Sequence, residues 1–154
     1  MPVDYLILLV LHIAFAATAF AVAMGGPSAV KRARALPTPD AALAAARELV
    51  RRDTFAGISY IVAFLTGFAL IFVAYGGFKG LHPVMHASMG LIALLIVFGF
   101  VFLHPRTKAL VTALEARDAA AADKQLKLVN MGAGIAQLVW FVVLVLMVWN
   151  AKHG

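Results

Sequence analysis

Four runs without a single Asp, Glu, Lys or Arg divide the chain: Tyr5–Val30, Thr54–Phe78, Pro83–Leu103 and Leu128–Ala151. Each reaches the roughly 20 residues that a helix needs to cross the hydrocarbon of a bilayer. Membrane-spanning strands would instead show roughly 10-residue segments of alternating polarity, and the runs show no such alternation. The pattern predicts an all-α fold. It reads as a four-helix transmembrane bundle, one domain over 1–154, with spans at about 5–26, 54–76, 83–103 and 128–150.

Between the runs, the punctuation predicts where helices begin and end. The first helix starts near Pro2–Asp4, since proline and a carboxylate both suit a first turn. Gly25, Gly26 and Pro27 weaken or bend its far end. Leu36–Pro39 reads as a break, with Asp40 as the N-cap of an Ala-rich stretch that runs on into the second span. AYGGFKG, from Ala74 to Gly80, is a turn, and Pro83 fits the first turn of the third helix. After His104–Pro105 a basic, Ala-rich segment carries two helical extensions, with a break expected around Asp118–Asp123. Asn130, Gly134 and Gln137 form a stripe on the fourth helix expected to turn inward, because amides in lipid need partners. Trp149 is expected at the outer interface.

Composition agrees with this reading, and charge orients it. At 64% hydrophobic and a mean hydropathy of +0.96, a chain of 154 residues has more apolar surface than one small soluble core can hide. Of its 13 basic residues, all but Lys79 and Lys152 lie in the two segments joining spans one to two and three to four. The positive-inside rule makes that side cytoplasmic, placing both termini outside. The net charge of +6 needs no nucleic-acid partner; insertion and the anionic headgroups of the lipid bilayer account for it. Without cysteine, disulfides and thiolate metal sites are excluded. The first span lacks a basic leader region and follows Asp4, so it is expected to stay as a helix rather than be cleaved.

The two halves resemble each other. An offset of 74 sets His12 on His86, Gly25 on Gly99, Arg32 on Arg106 and Arg34 on Lys108. Three residues more set Ala56-Gly57-Ile58 on Ala133-Gly134-Ile135. The expected plan is two helical hairpins related as parallel repeats about an axis along the membrane normal.

His12 and His86 are the chemically informative exceptions to the apolar runs. An ionisable group held in lipid is costly and by default marks a functional site. Imidazole is a common axial ligand of haem iron, and matched histidines near the outer side predict haem b bound through His12 and His86. One haem shared by both would be six-coordinate and suited to electron transfer. One haem on each would be five-coordinate and open to a small oxidant such as a diatomic gas, or to a haem-dependent oxidoreductase reaction. Lys79, near the outer surface, is placed to meet a propionate, and Ala16, Ala19 and Ala23 continue the face of His12 as a stripe of small residues. That stripe suits close helix packing or a flat macrocycle.

The alternative metal is copper, on His82, Met85, His86 and Met89, since thioether and imidazole suit Cu(I). It would make the chain a copper-binding or permease-like protein. In a third reading the chain is a structural subunit and both histidines make ordinary hydrogen bonds. His82, His104 and His153 lie at or beyond the interfaces and read as surface. No paired carboxylates, nucleophile elbow, P-loop or HExxH spacing occurs. A redox partner and assembly into a homo-oligomer are both compatible with such a bundle.

The run LILLVLHIAFAATAFAVAMGG followed by basic residues resembles the first helix of small bacterial membrane proteins of the copper-resistance-D-like group. It is also similar to the membrane protoporphyrinogen oxidase family, whose first helix carries an early histidine. The resemblance covers the whole four-helix plan. It implies b-type haem or metal binding through the histidines of the first and third helices, here His12 and His86. Where the oxidase family has a tryptophan and then a proline-arginine segment, this chain reads AFAVAMGGPSAVKRAR. The resemblance therefore implies a fold and a cofactor but no reaction.

Overall fold

The computed structural model describes residues 3–36 and 38–153. Its helices are α1 (Val3–Arg34), α2 (Pro39–Tyr75), α3 (Pro83–Phe98), α4 (His104–Glu115) and α5 (Ala119–His153). A short 3-10 turn, Phe78–Gly80, precedes α3, and a π-helical turn, Gly99–Leu103, joins α3 to α4 in one continuous rod. Among the described residues there is no strand, and four helical rods are long and apolar enough to cross a bilayer. This is the form of a multi-pass membrane protein.

The rods pack as a ring. α1 lies between α2 and α5, and the α3–α4 rod lies between the same two on the other side. Among the described residues α1 and α3 do not pack on each other, and neither do the backbones of α2 and α5. These pairs are the diagonals. Across one of them Tyr60 stacks on Trp140, with ring centroids 5.8 Å apart, while Phe20 meets Trp140 edge-on at 6.0 Å. Ala19 and Ala23 are buried in this core and Ala16 packs against it. The small-residue stripe of α1 thus serves close helix packing, as small residues do in membrane bundles.

A second core, of Ala29, Val30, Leu49, Leu110, Val129 and neighbouring alanines, fills the basic end of the bundle. The helices therefore continue as a packed unit beyond the uncharged runs. The Arg47–Glu115 pair at 2.8 Å joins α2 to α4 there, but it is exposed, and exposed pairs contribute at most about 1 kcal/mol.

Several local expectations are refined. α1 continues through Gly25-Gly26-Pro27 to Arg34. The break before α2 is present at 35, 36 and 38; Pro37 lies outside the described residues, as does Pro2. The N-cap of α2 is Thr38, not Asp40. Pro39 holds the preceding residue extended (φ −122°, ψ 146°), and the Thr38 hydroxyl accepts from the Ala41 N–H at 3.3 Å. Asp40 sits in the first turn, where its charge suits the helix dipole. The α4–α5 break falls at 116–118, because the Asp118 carboxylate accepts the Ala121 N–H at 2.9 Å and starts α5 at once. Of the amide stripe, Gln137 is half-buried and reaches Met24 Sδ at 3.8 Å, whereas Asn130 is exposed, near the charged end of α5. Trp149 is exposed, as an interfacial indole should be.

The π turn has a local cause. Pro105 has no N–H to give and its ring would clash with the carbonyl four residues back. Widening the turn, with the His104 N–H on the Gly99 carbonyl, relieves both.

Gly76 ends α2 in the left-handed region at φ 67°, which a β-branched residue adopts only with strain. Gly76→Val is expected to destabilise by about 1–2 kcal/mol and lower the thermal midpoint of the detergent-solubilised protein. Gly90→Ala, whose new Cβ would meet nothing within 4 Å, should leave the midpoint unchanged or raise it.

Candidate functional site

His12 is half-buried on α1 and held against α2. Its Nδ1 lies 2.8 Å from the Ala63 carbonyl oxygen. A carbonyl only accepts, so Nδ1 carries the proton and donates it, and Nε2 is the nitrogen left to bind elsewhere. The ring fits because residue 67 is glycine: a Cβ there would stand 2.8 Å from His12 Cε1. Thr66 adds a second contact, Oγ1 to Nδ1 at 3.4 Å, while donating its own proton to the Val62 carbonyl at 2.7 Å. His12 thus has a fixed position and tautomer, the arrangement in which a histidine ligates a metal through its other nitrogen.

His86 is placed differently. It is exposed on α3, its ring 6.1 Å from that of Phe78, which belongs to a cluster with Phe68 and Phe72. The structure does not bring α1 and α3 into packing contact, so His12 and His86 sit on diagonal helices. His82 caps α3, its Nδ1 accepting the Val84 N–H at 3.3 Å. Lys79 is exposed in the 3-10 turn. Met85 and Met89 are half-buried, and the His153 side chain lies outside the described residues. Among the described residues no group of three or more His, Asp or Glu is arranged to hold a metal ion.

At the basic end the structure assembles a site that the sequence reading did not single out. A cavity of about 160 Å³ lies between all four rods. Its inner wall includes Ala56, Tyr60, Leu95 and Ala136, all buried, and its other wall is the π turn. Asp53 and His104, both half-buried, stand at its polar end. Thr107, fully buried, places its Oγ1 2.5 Å from Asp53 Oδ2 and 3.0 Å from the Leu103 carbonyl. His104 and Arg52 are near enough for their charges to act on the carboxylate. The π turn swings His104 toward α2, and π turns inside α-helices recur at functional sites. His104 is therefore a cavity residue rather than plain surface. The one hint in the sequence was His104-Pro105, a histidine at a helix-disrupting proline.

No protein family, characterised protein or solved structure matches this chain.

Two substitution experiments follow. Gly67→Ala pushes a Cβ into the His12 ring and should cost about 1–3 kcal/mol, seen as a lower thermal midpoint; adding His12→Ala to it should remove most of that loss. Asp53→Asn and Thr107→Val, singly and together, should show a coupling of about 1–3 kcal/mol in a double-mutant cycle of thermal stability.

Proposed function

We propose that the chain is a b-type haem protein of a bacterial inner membrane, with termini on the periplasmic side and its two hairpins related as parallel repeats. His12 and His86 would hold the haem iron. The observation that carries this reading is the tether from His12 Nδ1 to the Ala63 carbonyl, which leaves Nε2 as the free lone pair in an apolar bundle. The chemistry of this donor fits a haem iron. Gly67 supports the same reading, since it opens the notch that the ring occupies.

His86 is exposed whereas His12 is half-buried, which favours one haem on each histidine over a shared haem. The repeat offset of 77 that aligns the two Ala-Gly-Ile segments sets Leu144 on Gly67 and Trp140 on Ala63. The second half therefore lacks the notch of the first, and His86 turns instead toward the Phe78 cluster. Haem bound this way supplies one-electron transfer or binding of a small oxidant. The protein's own residues do the rest: Ala63 fixes the tautomer of His12, the phenylalanines near His86 offer apolar faces, and Lys79 stands at the surface for a carboxylate.

The purified protein, reconstituted with haemin, should show a Soret band. His12→Ala and His86→Ala should each remove about half of the haem by pyridine haemochrome assay; complete loss in both would establish a shared haem. A protein that stays colourless after reconstitution refutes the proposal.

A further inference from the structure

The cavity is distinct from the His12 notch: its polar residues, Asp53 and His104, lie toward the basic end, while its wall at Tyr60 comes within one turn of Ala63, the partner of His12. Three features restrict what it can hold. The first is size. About 160 Å³ is close to the roughly 150 Å³ cavity that accepts benzene, so a single six-membered ring fits.

The second is access. Thr54, Ile58 and Phe100 line the cavity and are also exposed, which sets its mouth sideways, between α2 and the π turn. Gly57 keeps this mouth open: a Cβ there would meet only Phe100 Cζ, at 3.7 Å. Ile58 and Phe100 belong to the uncharged runs, so the mouth opens onto lipid rather than water.

The third is polarity. The walls are mainly apolar, Tyr60 among them, and the polar end combines a carboxylate and an imidazole. Asp53 is flanked by the basic groups His104 and Arg52, and Arg52 also reaches α1, its Nη2 standing where a Cβ on Gly25 would be 2.9 Å away. The Asp53 carboxylate has a cation, Arg52, beside it, so a neutral ligand suits the site better than a charged one. The groups that remain suit an oxygen that accepts a hydrogen bond in one form and donates one in another.

We propose that this cavity binds the head group of a membrane quinone or quinol: a neutral, oxygen-substituted single ring on an apolar tail, entering from lipid between α2 and the π turn. The ring stands over Tyr60, and its oxygens meet Asp53 and His104. The inference is one of binding and does not depend on the haem reading.

Tyr60 stacks on Trp140, which provides a reporter. In a Trp149→Phe background Trp140 is the only tryptophan, and quinones quench indole fluorescence at close range. The full-length protein in nanodiscs is titrated with a ten-carbon-tailed benzoquinone and with the same ring lacking the tail. Saturable quenching is expected, at a tailed-quinone concentration at least tenfold lower than for the bare ring. Gly57→Leu, which closes the mouth where the backbone has room, should abolish saturation. Asp53→Asn and His104→Ala should each weaken binding about tenfold, and Gly90→Ala should change nothing. Circular dichroism and a monodisperse gel-filtration peak establish that each variant is folded. Quenching that rises linearly with added quinone and is equal in Gly57→Leu would overturn the proposal. So would efficient quenching by acyl-brominated phospholipid that quinone does not displace, because a lipid chain would then be the occupant.

Discussion

In hydrocarbon a polar group without a partner costs several kcal/mol, and that constraint shapes this bundle. Within the helices, Ser59, Thr66 and Ser88 return their hydroxyl protons to carbonyls four residues back, at 2.9, 2.7 and 2.9 Å. These bonds satisfy the side chains locally and tie no helices together. His12 and Thr107 do something else: each uses its polar group to reach α2 from another rod. One joins α1 to α2 nearer the N-terminus of α1, and the other joins α4 to α2 at the basic end. Between these levels the core combines alanines with Tyr60, Trp140, Ile92, Leu95 and Val143. α2 is therefore the helix against which two others are registered, and both candidate sites are built on it.

The spans were legible in the sequence because charge is absent from them and concentrated between them, a contrast that needs no tertiary information. His12 was legible for the same reason, as an ionisable group where none is expected. Its tautomer was not, since that depends on a carbonyl 51 residues away and on Gly67, which in sequence is one glycine among 12. The exposure of His86 was also hidden, because repeat symmetry suggests equal environments while the partner helix carries Leu144 where the first has Gly67. Asp53 escaped notice because it follows two arginines and reads as part of a solvated charge cluster. Only the packing of α4 on α2 brings Thr107 and His104 to it.

Smaller departures share one origin. Thr38 takes the cap from Asp40 because Pro39 fixes the backbone of the residue before it, a local rule that outweighs a general preference for aspartate. Asn130 stays exposed because it lies near the charged end of α5 and not deep in the apolar run. In both cases the residue type was read correctly and its position along the helix decided the outcome.

The overhang of the helices at the basic end gives the molecule a profile that residue counts alone do not convey. From Pro39 to Thr54, α2 extends about 22 Å past its uncharged run, more than twice the Debye length of about 8 Å at physiological salt. Arg51, Arg52 and Lys127, at the foot of this stalk, lie within reach of the headgroup potential. Arg117, in the turn between α4 and α5, lies farther out. A soluble protein approaching this end would meet an alanine-filled knob held off the bilayer.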